Sequence, residues 1–442
     1  MSTRALTSAG LAERIPERIR AARPRLEAVD RSEAALLSVG TLASGLLAYV
    51  FNVLAARSLG PDIYGAIGAL WAGMFLVAVL LFRPLEQTVS RAVADAVARD
   101  LDARPIIRTA AILGAGVTVA VSLVLAAAWG PITDGLFGGR AALTAALIAG
   151  VAGYGASYFV RGLCGGVRWF GGYGLLLLAD GAIRVVVALP LLLVASPTVA
   201  AIAVAAAAGG GAVAPLLWHR RSALRRATAG DEPSQFPMGS AARFALPAAV
   251  IAGSEQVLVS GGPLLVLIAG GPDASKAAGV VFAATLLLRA PVFVFQGIAA
   301  SLLPSLTTFE ARGDHERAHR ATVLTALALA GFATVVAVGA LAFGPAAMSL
   351  LYGDGFEATR IDLAILALGV GGFLAASTFC QALLARTRAG LAALCWSSGA
   401  ASFVALELAL PGAVFHRVSI AFAVGSMLAA VTLIASVWKT AP

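Results

Sequence analysis

Charged side chains are scarce in this sequence. Asp, Glu, Lys and Arg make up 12% of its 442 residues, whereas soluble globular domains carry about 25%. Hydrophobic residues make up 60%, and the mean hydropathy is +0.90. This composition excludes a soluble globular domain and is typical of a polytopic membrane protein.

Cysteines and catalytic motifs are scarce as well. The three cysteines, Cys164, Cys380 and Cys395, lie in or beside apolar segments without the spacing of metal ligands. The sequence contains no paired catalytic acids, no phosphate-binding glycine loop and no H-E-x-x-H motif. We therefore expect a protein that is not an enzyme and that holds no cofactor, metal ion or catalytic residue.

Long apolar segments are abundant. A helix needs about 20 apolar residues to cross a bilayer, and twelve segments meet this length. The twelve predicted spans are 35–56, 64–90, 107–128, 141–160, 173–195, 198–218, 243–268, 277–305, 321–347, 361–384, 390–411 and 418–438. The sequence therefore predicts an all-α polytopic membrane protein.

The distribution of basic residues gives the predicted topology. Of the 32 Lys and Arg, 24 fall in segments that are cytoplasmic if the N-terminus is inside, 5 in external segments and 3 within spans. Such a bias follows the positive-inside rule, so we expect both termini in the cytoplasm. The net charge of +9 is then explained by topology and by contact with anionic lipids, without nucleic acid.

The two halves of the chain repeat one pattern. Gly-Pro-Asp at 60–62, after the first span, returns at 271–273, after the seventh. Trp-Gly-Pro at 129–131 is matched by Phe-Gly-Pro at 343–345. Six spans per half is an even number, so both halves enter the membrane in the same direction. The sequence predicts two six-helix lobes related by a parallel internal repeat, with a substrate path between them.

Four segments divide the chain. Residues 1–33 are cytoplasmic and lack the apolar core of a signal peptide. Their apolar residues follow a helical spacing, so an interfacial helix and a disordered tail both stay open. Residues 34–218 form the predicted N-terminal lobe, and 243–442 form the C-terminal lobe. The polar segment 219–242 is the predicted cytoplasmic linker.

Several motifs at helix ends resemble those of a known transporter family. They are Leu-Gly-Pro-x-x-Tyr-Gly at 59–65, Arg-Gly-Leu at 161–163, Arg-Trp-Phe at 168–170 and Pro-Ser-Leu at 304–306. Their order and spacing are similar to those of the polysaccharide-transporter family of lipid-linked oligosaccharide flippases. That family belongs to the multidrug/oligosaccharidyl-lipid/polysaccharide exporter superfamily. The resemblance covers residues 34–438 and implies export of a lipid-linked glycan.

Arginines inside the predicted spans are the main candidates for substrate binding. A charge in a membrane helix costs roughly 2.5–3.5 kcal/mol and usually marks a function. Arg83 and Glu86 share one helix face, so Arg83 either pairs with Glu86 or binds an anionic headgroup. Arg289, at a similar place in the second half, favours the headgroup, because two guanidinium groups suit a pyrophosphate. Glu86, beside Arg83, and Arg161, at the cytoplasmic edge, are further candidate substrate contacts.

Glu255 is the candidate group for ion coupling. It lies midway along the seventh span and has no partner on its own helix; Gly-Gly-Pro at 261–263 predicts a kink nearby. A carboxylate at mid-membrane is unfavourable as an anion, so it is suited to exchanging protons. The alternative is that an arginine across the cleft, such as Arg289, neutralises it and the pair holds the lobes together.

Two other sets of charges are predicted to be structural. Asp180 and Arg184 are four residues apart in the fifth span, which predicts an ion pair inside the N-terminal lobe. Glu407 lies near the outer end of the eleventh span, where we expect it to be hydrated.

Three functions are compatible with these features. The first is a flippase that moves a polyprenyl-pyrophosphate-linked oligosaccharide from the cytoplasmic to the outer leaflet of the bacterial inner membrane, for cell-surface polysaccharide synthesis. It would work as a monomer, with proton or sodium coupling. The second is an ion-coupled multidrug antiporter of the same superfamily, although the basic residues in the membrane and the 7% aromatic content fit it less well. The third, a membrane glycosyltransferase or polymerase, needs longer external loops.

Overall fold

The computed structural model describes residues 17–218, 225, 227–228, 230, 232–234, 238–290, 315–386 and 388–439. Twelve long helices occupy the positions of the twelve predicted spans, although the eighth is described only in part. They are α1 (17–59), α2 (61–98), α3 (Arg104–Ala127), α4 (Ala141–Gly166), α5 (Phe170–Ala188), α6 (Pro197–Trp218), α7 (Met238–Gly270), α8 (275–290), α9 (His315–Tyr352), α10 (Arg360–Ala385), α11 (Ala389–Ala409) and α12 (Val414–Lys439). A short helix, Trp129–Gly135, follows α3, and 3-10 turns cover Leu189–Leu192 and Pro272–Ala274.

Two predicted features fall wholly or partly outside these residues. The Pro-Ser-Leu motif at 304–306 is not described. Of the N-terminal segment 1–33, the described part is helical from Glu17 and runs directly into the first span.

Gly60 and Gly271 turn the chain at equivalent places in the two halves. The helical segment Glu17–Ala98 is interrupted at Gly60, where φ is 72° and ψ is 168°. Gly271, which follows α7, has a φ of 64° and a ψ of −164°. A positive φ is easily adopted by glycine, and the proline that follows each glycine is well suited to a first helical position. The internal repeat predicted from 60–62 and 271–273 is therefore present in the backbone.

The outer surface of the helices is apolar. By length and composition, ten described helices can cross a membrane, and one of them is the segment Ala35–Ala98, which contains both α1 and α2. On α3, Leu123 and Val124 are 64% and 65% exposed, and on α9 Val335 is 70% exposed. Such contiguous apolar exposure belongs against lipid hydrocarbon. The protein is a multi-pass membrane protein, as the hydropathy predicted.

The helices pack as two lobes with a contact between them. In the first half, α4, α5 and α6 pack against one another and against the α1–α2 segment; in the second half, α10 packs against α9 and α12, and α11 packs against α12. Glycines allow the helices to approach closely, as where Gly153 faces Gly209 and Gly399 faces Gly425. α7 packs on α11 of its own lobe and also on the α1–α2 segment. α7 thus contacts both lobes.

The linker between the lobes is attached to the N-terminal lobe. Glu232–Pro233 pairs in parallel with Leu101–Asp102, which lies between α2 and α3. The N–H of Ala103 donates to the carbonyl of Ala227 over 2.9 Å, and the N–H of Ser234 donates to the carbonyl of Asp102 over 3.0 Å. The described part of the linker therefore follows the α2–α3 loop.

Candidate functional site

A cavity of about 430 Å³ lies between the two lobes. It is lined by Arg83, Gln87 and Arg91 of α2, Ala248, Ile251, Ala252 and Glu255 of α7, Cys380, Gln381 and Leu384 of α10, and Ala389 of α11. The lining comes from the C-terminal halves of α2 and α10 and from the N-terminal parts of α7 and α11. These are the helix ends predicted to be cytoplasmic, so the cavity, called here the inner cleft, lies in the predicted cytoplasmic half of the molecule.

An ion pair crosses the inner cleft from one lobe to the other. Nη1 of Arg83 donates a hydrogen bond to Oε2 of Glu255 over 3.4 Å. The Arg83 side chain is 44% exposed and that of Glu255 is 19% exposed, so both can meet a ligand. A charge-assisted hydrogen bond of this kind is usually about 2.7–2.9 Å long. The Arg83–Glu255 contact is therefore longer than a typical charge-assisted hydrogen bond.

The remaining polar residues of the inner cleft continue the same helix face. Gln87 and Arg91 follow Arg83 at intervals of four residues, which places all three on one side of α2. Gln381 approaches from α10. Among the described residues that line it, the charged ones are Arg83, Arg91 and Glu255, that is, two guanidinium groups and one carboxylate.

Glu86 does not pair with Arg83, although the two share a helix. Oε1 of Glu86 accepts a hydrogen bond of 2.6 Å from the hydroxyl of Tyr173 on α5, and no ion pair of Glu86 occurs among the described residues. The interpretation that Arg83 is neutralised by Glu86 is wrong, because the partner of Arg83 comes from the other lobe.

Arg161 lies inside the N-terminal lobe. Its guanidinium carbon is 4.7 Å from the ring centroid of Tyr158, a cation–π distance. Its Nε is buried and has no hydrogen-bond partner within the described structure. Arg161 does not line the inner cleft.

Asp180 and Arg184 form an ion pair in the core of the N-terminal lobe. Nη2 of Arg184 lies 2.7 Å from Oδ2 of Asp180, and both side chains are buried. The same nitrogen is 3.3 Å from the hydroxyl of Tyr154, and the guanidinium carbon is 4.7 Å from the ring centroid of Trp71. The pair has several partners within its own lobe and no access to the inner cleft.

Arg289 does not reach the inner cleft in this conformation. It lies on α8 and is near the hydroxyl of Tyr49 on α1, which interacts with it electrostatically. That hydroxyl donates a hydrogen bond of 2.5 Å to the carbonyl of Leu286, one turn earlier on α8. The structure thus brings Glu255 together with Arg83 and not with Arg289.

The predicted external end of the molecule is closed by backbone contacts between the lobes. A β-carbon on Gly65 would overlap the carbonyl oxygen of Ser275, and one on Gly279 would overlap that of Pro61. The hydroxyl of Ser275 donates a hydrogen bond of 2.5 Å to the carbonyl of Asp62. The two repeated turns therefore pack directly against each other.

Aromatic side chains continue this closure. The ring of Tyr64 lies 5.5 Å from that of Phe282 and 5.6 Å from that of Phe356, in the range of favourable aromatic pairs. The Tyr64 hydroxyl donates to the side-chain oxygen of Asn52 over 2.9 Å. Nε of Arg57 donates to the carbonyl of Leu351 over 2.9 Å. The space between the lobes is thus closed at the end opposite the inner cleft.

The predicted external end of the C-terminal lobe contains charged contacts that the sequence did not predict. Nδ1 of His416 lies 2.5 Å from Oδ1 of the buried Asp362. Arg417 faces Glu407, which is 0% exposed. The expectation that Glu407 is hydrated is wrong, because α11 turns this side chain toward α12 and into the lobe. A glutamate and an arginine on opposite sides of a short helix–helix connection are the sequence signal for this contact.

No protein-family model matches the chain. Among curated proteins, it is 27% identical over 349 residues to an uncharacterised protein of Mycobacterium bovis, with 77% of each chain covered. It is 28% identical over 340 residues to an uncharacterised protein of Mycobacterium tuberculosis H37Rv, with 74% of each covered.

The solved structures are more informative about the fold. A multidrug resistance MATE family transporter of the MOP superfamily, in an inward-facing conformation, matches with a TM-score of 0.71 and 18% identity, over 90% of this chain and 96% of that one. The chain shares the fold of that structure. An outward-facing structure of a transporter with the same description gives a TM-score of 0.61 and 17% identity over 93% and 97% of the two chains.

A further MOP superfamily structure concerns the polarity of the pocket. It is a transporter from Pyrococcus furiosus, described as having a binding pocket of reverse polarity that suggests a different function. It matches with a TM-score of 0.62 and 16% identity, over 93% of this chain and 95% of that one.

Proposed function

We propose that this protein is a flippase that moves a polyprenyl-pyrophosphate-linked oligosaccharide across the bacterial inner membrane by alternating access. The observation that carries the proposal is the presence of two guanidinium groups, Arg83 and Arg91, in the lining of the inner cleft, the first of which makes a loose 3.4 Å contact with Glu255. A guanidinium group can donate two parallel hydrogen bonds to the oxygens of one phosphate. A cavity of about 430 Å³ is in the usual range for ligand sites, and it would hold the diphosphate and the first sugar while the polyprenyl chain stays in the bilayer.

The closure pattern supports uptake from the cytoplasmic leaflet. The inner cleft lies at the predicted cytoplasmic end, and the opposite end is sealed where Gly65 meets Ser275. A conformation with one end sealed and a cavity at the other is what alternating access requires of its inward-open state. The outward-open state must then separate the two external turns.

Arg83 has two competing partners in this scheme. In the structure, Arg83 contacts Glu255 over a loose 3.4 Å. A diphosphate would replace Glu255 because it accepts stronger, bidentate hydrogen bonds from Arg83. The exchange would remove a contact between α2 and α7, and so between the lobes. Substrate binding could thereby change the balance between inward-open and outward-open states, because it changes the contacts made in only one of them. Protonation of Glu255 would release Arg83 in the same way, so Glu255 is also the proposed coupling group for a proton or sodium ion.

The other charged candidates have smaller roles in the proposal. Glu86 and Arg161 lie beside the inner cleft, within the N-terminal lobe, and would position α2 and α4 around the entering headgroup. Arg289 stays a proposed contact in a conformation that brings α8 to the cleft. Asp180 and Arg184 are proposed to hold the N-terminal lobe together.

The proposal includes a location and partners. We place the protein in the inner membrane of a bacterium with both termini cytoplasmic, because the basic residues are concentrated in the cytoplasmic segments. Anionic lipids would contact these segments. We expect a monomer, because the described lining of the cleft comes from a single chain.

Multidrug export is the second candidate, and one observation favours it. A multidrug resistance transporter shares the fold, and Glu255 could bind a cationic drug if Arg83 released it. An assay in proteoliposomes separates the two functions. Flipping is measured with a prenyl diphosphate that carries a short glycan and a fluorophore: an impermeant reductant quenches the fluorophores that have reached the outer leaflet. Cation export is measured as transport of ethidium. The proposal expects flipping of the labelled diphosphate and no ethidium transport, and the reverse result would make this chain a drug exporter.

A further inference from the structure

Glu407 is a buried acid that does not line the inner cleft. It lies on α11 near the predicted external end, and its side chain is 0% exposed. Neither of its carboxylate oxygens has a hydrogen-bond partner within the described structure. Its ion-pair partner is Arg417 on α12, whose Nη2 is 3.5 Å from Oε1.

Other buried acids in the described structure are well bonded. Oδ2 of Asp180 is 2.7 Å from Arg184. Asp362 accepts a hydrogen bond of 2.7 Å from the hydroxyl of Thr359 and contacts His416 at 2.5 Å. An ionised carboxylate needs such bonds to offset the loss of its hydration. Glu407 has one distant cation and no hydrogen bond, which is an environment for a neutral acid.

The surroundings of Glu407 provide little other charge. On α12, Arg417 faces Glu407, whereas the adjacent His416 contacts Asp362 of α10. From α7, which also packs on α11, residues 256–270 include no charged residue. The Arg417 side chain is 21% exposed and its Nε is buried without a hydrogen-bond partner in the described structure, so only part of its guanidinium group reaches water.

We propose that Glu407 is a proton-binding site in the external half of the C-terminal lobe, with Arg417 as its positioning residue. The proton adds to one carboxylate oxygen and gives a neutral acid, while Arg417 keeps its charge and its exposed part is solvated. Proton binding at Glu407 is independent of the substrate, but its use to drive transport rests on the proposed flippase function.

The site is connected to the helix that carries Glu255. Phe403, one turn before Glu407, packs on Gly261 of α7, and Val418, next to Arg417, packs on Gly262. These glycines precede Pro263, where α7 lacks a backbone donor and can bend. A change in the Glu407–Arg417 contact would therefore alter the packing of α7 beside Pro263.

Infrared difference spectroscopy tests proton binding directly. The purified protein in nanodiscs is titrated from about pH 9 to about pH 5, and the carbonyl stretch of protonated carboxyl groups is recorded. We expect a band that is lost in Glu407→Gln and kept in Glu357→Gln, a control at an exposed external glutamate. Arg417→Gln should move the appearance of this band to higher pH, because the cation that stabilises the carboxylate is gone. If the band is the same in Glu407→Gln as in the wild type, the proposal is wrong.

Thermal unfolding keeps the test decisive if a variant is unstable. A neutral Glu407 is mimicked by glutamine, so at low pH Glu407→Gln should melt near the wild-type temperature. If Glu407 is instead a permanent counter-ion, Glu407→Gln should lower the melting temperature as much at low pH as at high pH, and the proposal fails. A transport assay separates this inference from the proposed function. If Glu407→Gln still flips the substrate but no longer responds to pH, the role of Glu407 as a proton site is supported. If the wild type does not flip the substrate, only the proposed flippase function is rejected.

Discussion

Gly65 lies directly against the backbone carbonyl of Ser275, so that the α1–α2 turn and the α7–α8 turn touch without intervening side chains. The two turns are the repeated Gly-Pro-Asp elements of the two halves. Their contact seals the predicted external end, opposite the inner cleft. In an alternating-access transporter, this contact must break and re-form in each cycle.

Gly65→Ala should favour an outward-open conformation, because the new β-carbon would overlap Ser275 only while the external end is closed. Spin labels at Asp134→Cys and Asp354→Cys, in a background without the three native cysteines, report the distance between the external ends of the lobes. We expect a longer mean distance in Gly65→Ala. Gly130→Ala is the matched control, since a β-carbon there would meet no other atom within 4 Å. Equal distances in both variants would show that the external contact does not control the conformation.

Gln381→Cys, at an exposed position of the inner cleft, should react with an impermeant thiol reagent from the cytoplasmic side. Because the external end is sealed, reagent added outside should label it much more slowly. Leu394→Cys, 70% exposed on α11, is the control for a side chain that faces lipid. Equal labelling of Gln381→Cys from the two sides would contradict an inward-open cleft.

The sequence was sufficient for those parts of the fold that depend on local rules. Hydropathy located the spans, and Gly60 and Gly271 revealed the repeat because a positive φ followed by proline leaves a mark in the sequence. The partner of Glu255 could not be predicted, since Arg83 is 172 residues away and the choice between Arg83 and Arg289 depends on how the lobes pack. The burial of Glu407 was missed because a carboxylate near a span end is usually hydrated, and only the contact with α12 decides otherwise.

Arg184→Ala should destabilise the protein strongly. It would leave Asp180 buried without its cation, and breaking a buried pair in this way costs about 3–5 kcal/mol. Thermal unfolding in detergent measures the effect. Arg99→Ala is the control, because Arg99 and Asp95 form an exposed i,i+4 pair, for which a loss of about 0–1 kcal/mol is usual. A similar melting temperature for the two variants would show that the buried pair is not structural.

Glu232→Cys should be labelled only from the cytoplasmic side of intact cells. Glu232 is exposed in the linker and belongs to the strand that pairs with Leu101–Asp102. The positive-inside distribution predicts that this whole surface is cytoplasmic. Labelling by an impermeant reagent added outside would invert the proposed topology and, with it, the direction of the inner cleft.

The central claim is that a diphosphate and Glu255 compete for Arg83. Its most direct test is the affinity of purified protein for a short-chain prenyl diphosphate, measured for wild type, Arg83→Gln, Glu255→Gln and the control Arg99→Gln. Arg83→Gln should bind about 10- to 100-fold more weakly, the effect of losing hydrogen bonds to a charged group worth roughly 1.5–3 kcal/mol. Glu255→Gln should bind more tightly than wild type, because the competing carboxylate is gone, and Arg99→Gln should be unchanged. Weaker binding in Glu255→Gln, or unchanged binding in Arg83→Gln, would contradict the account.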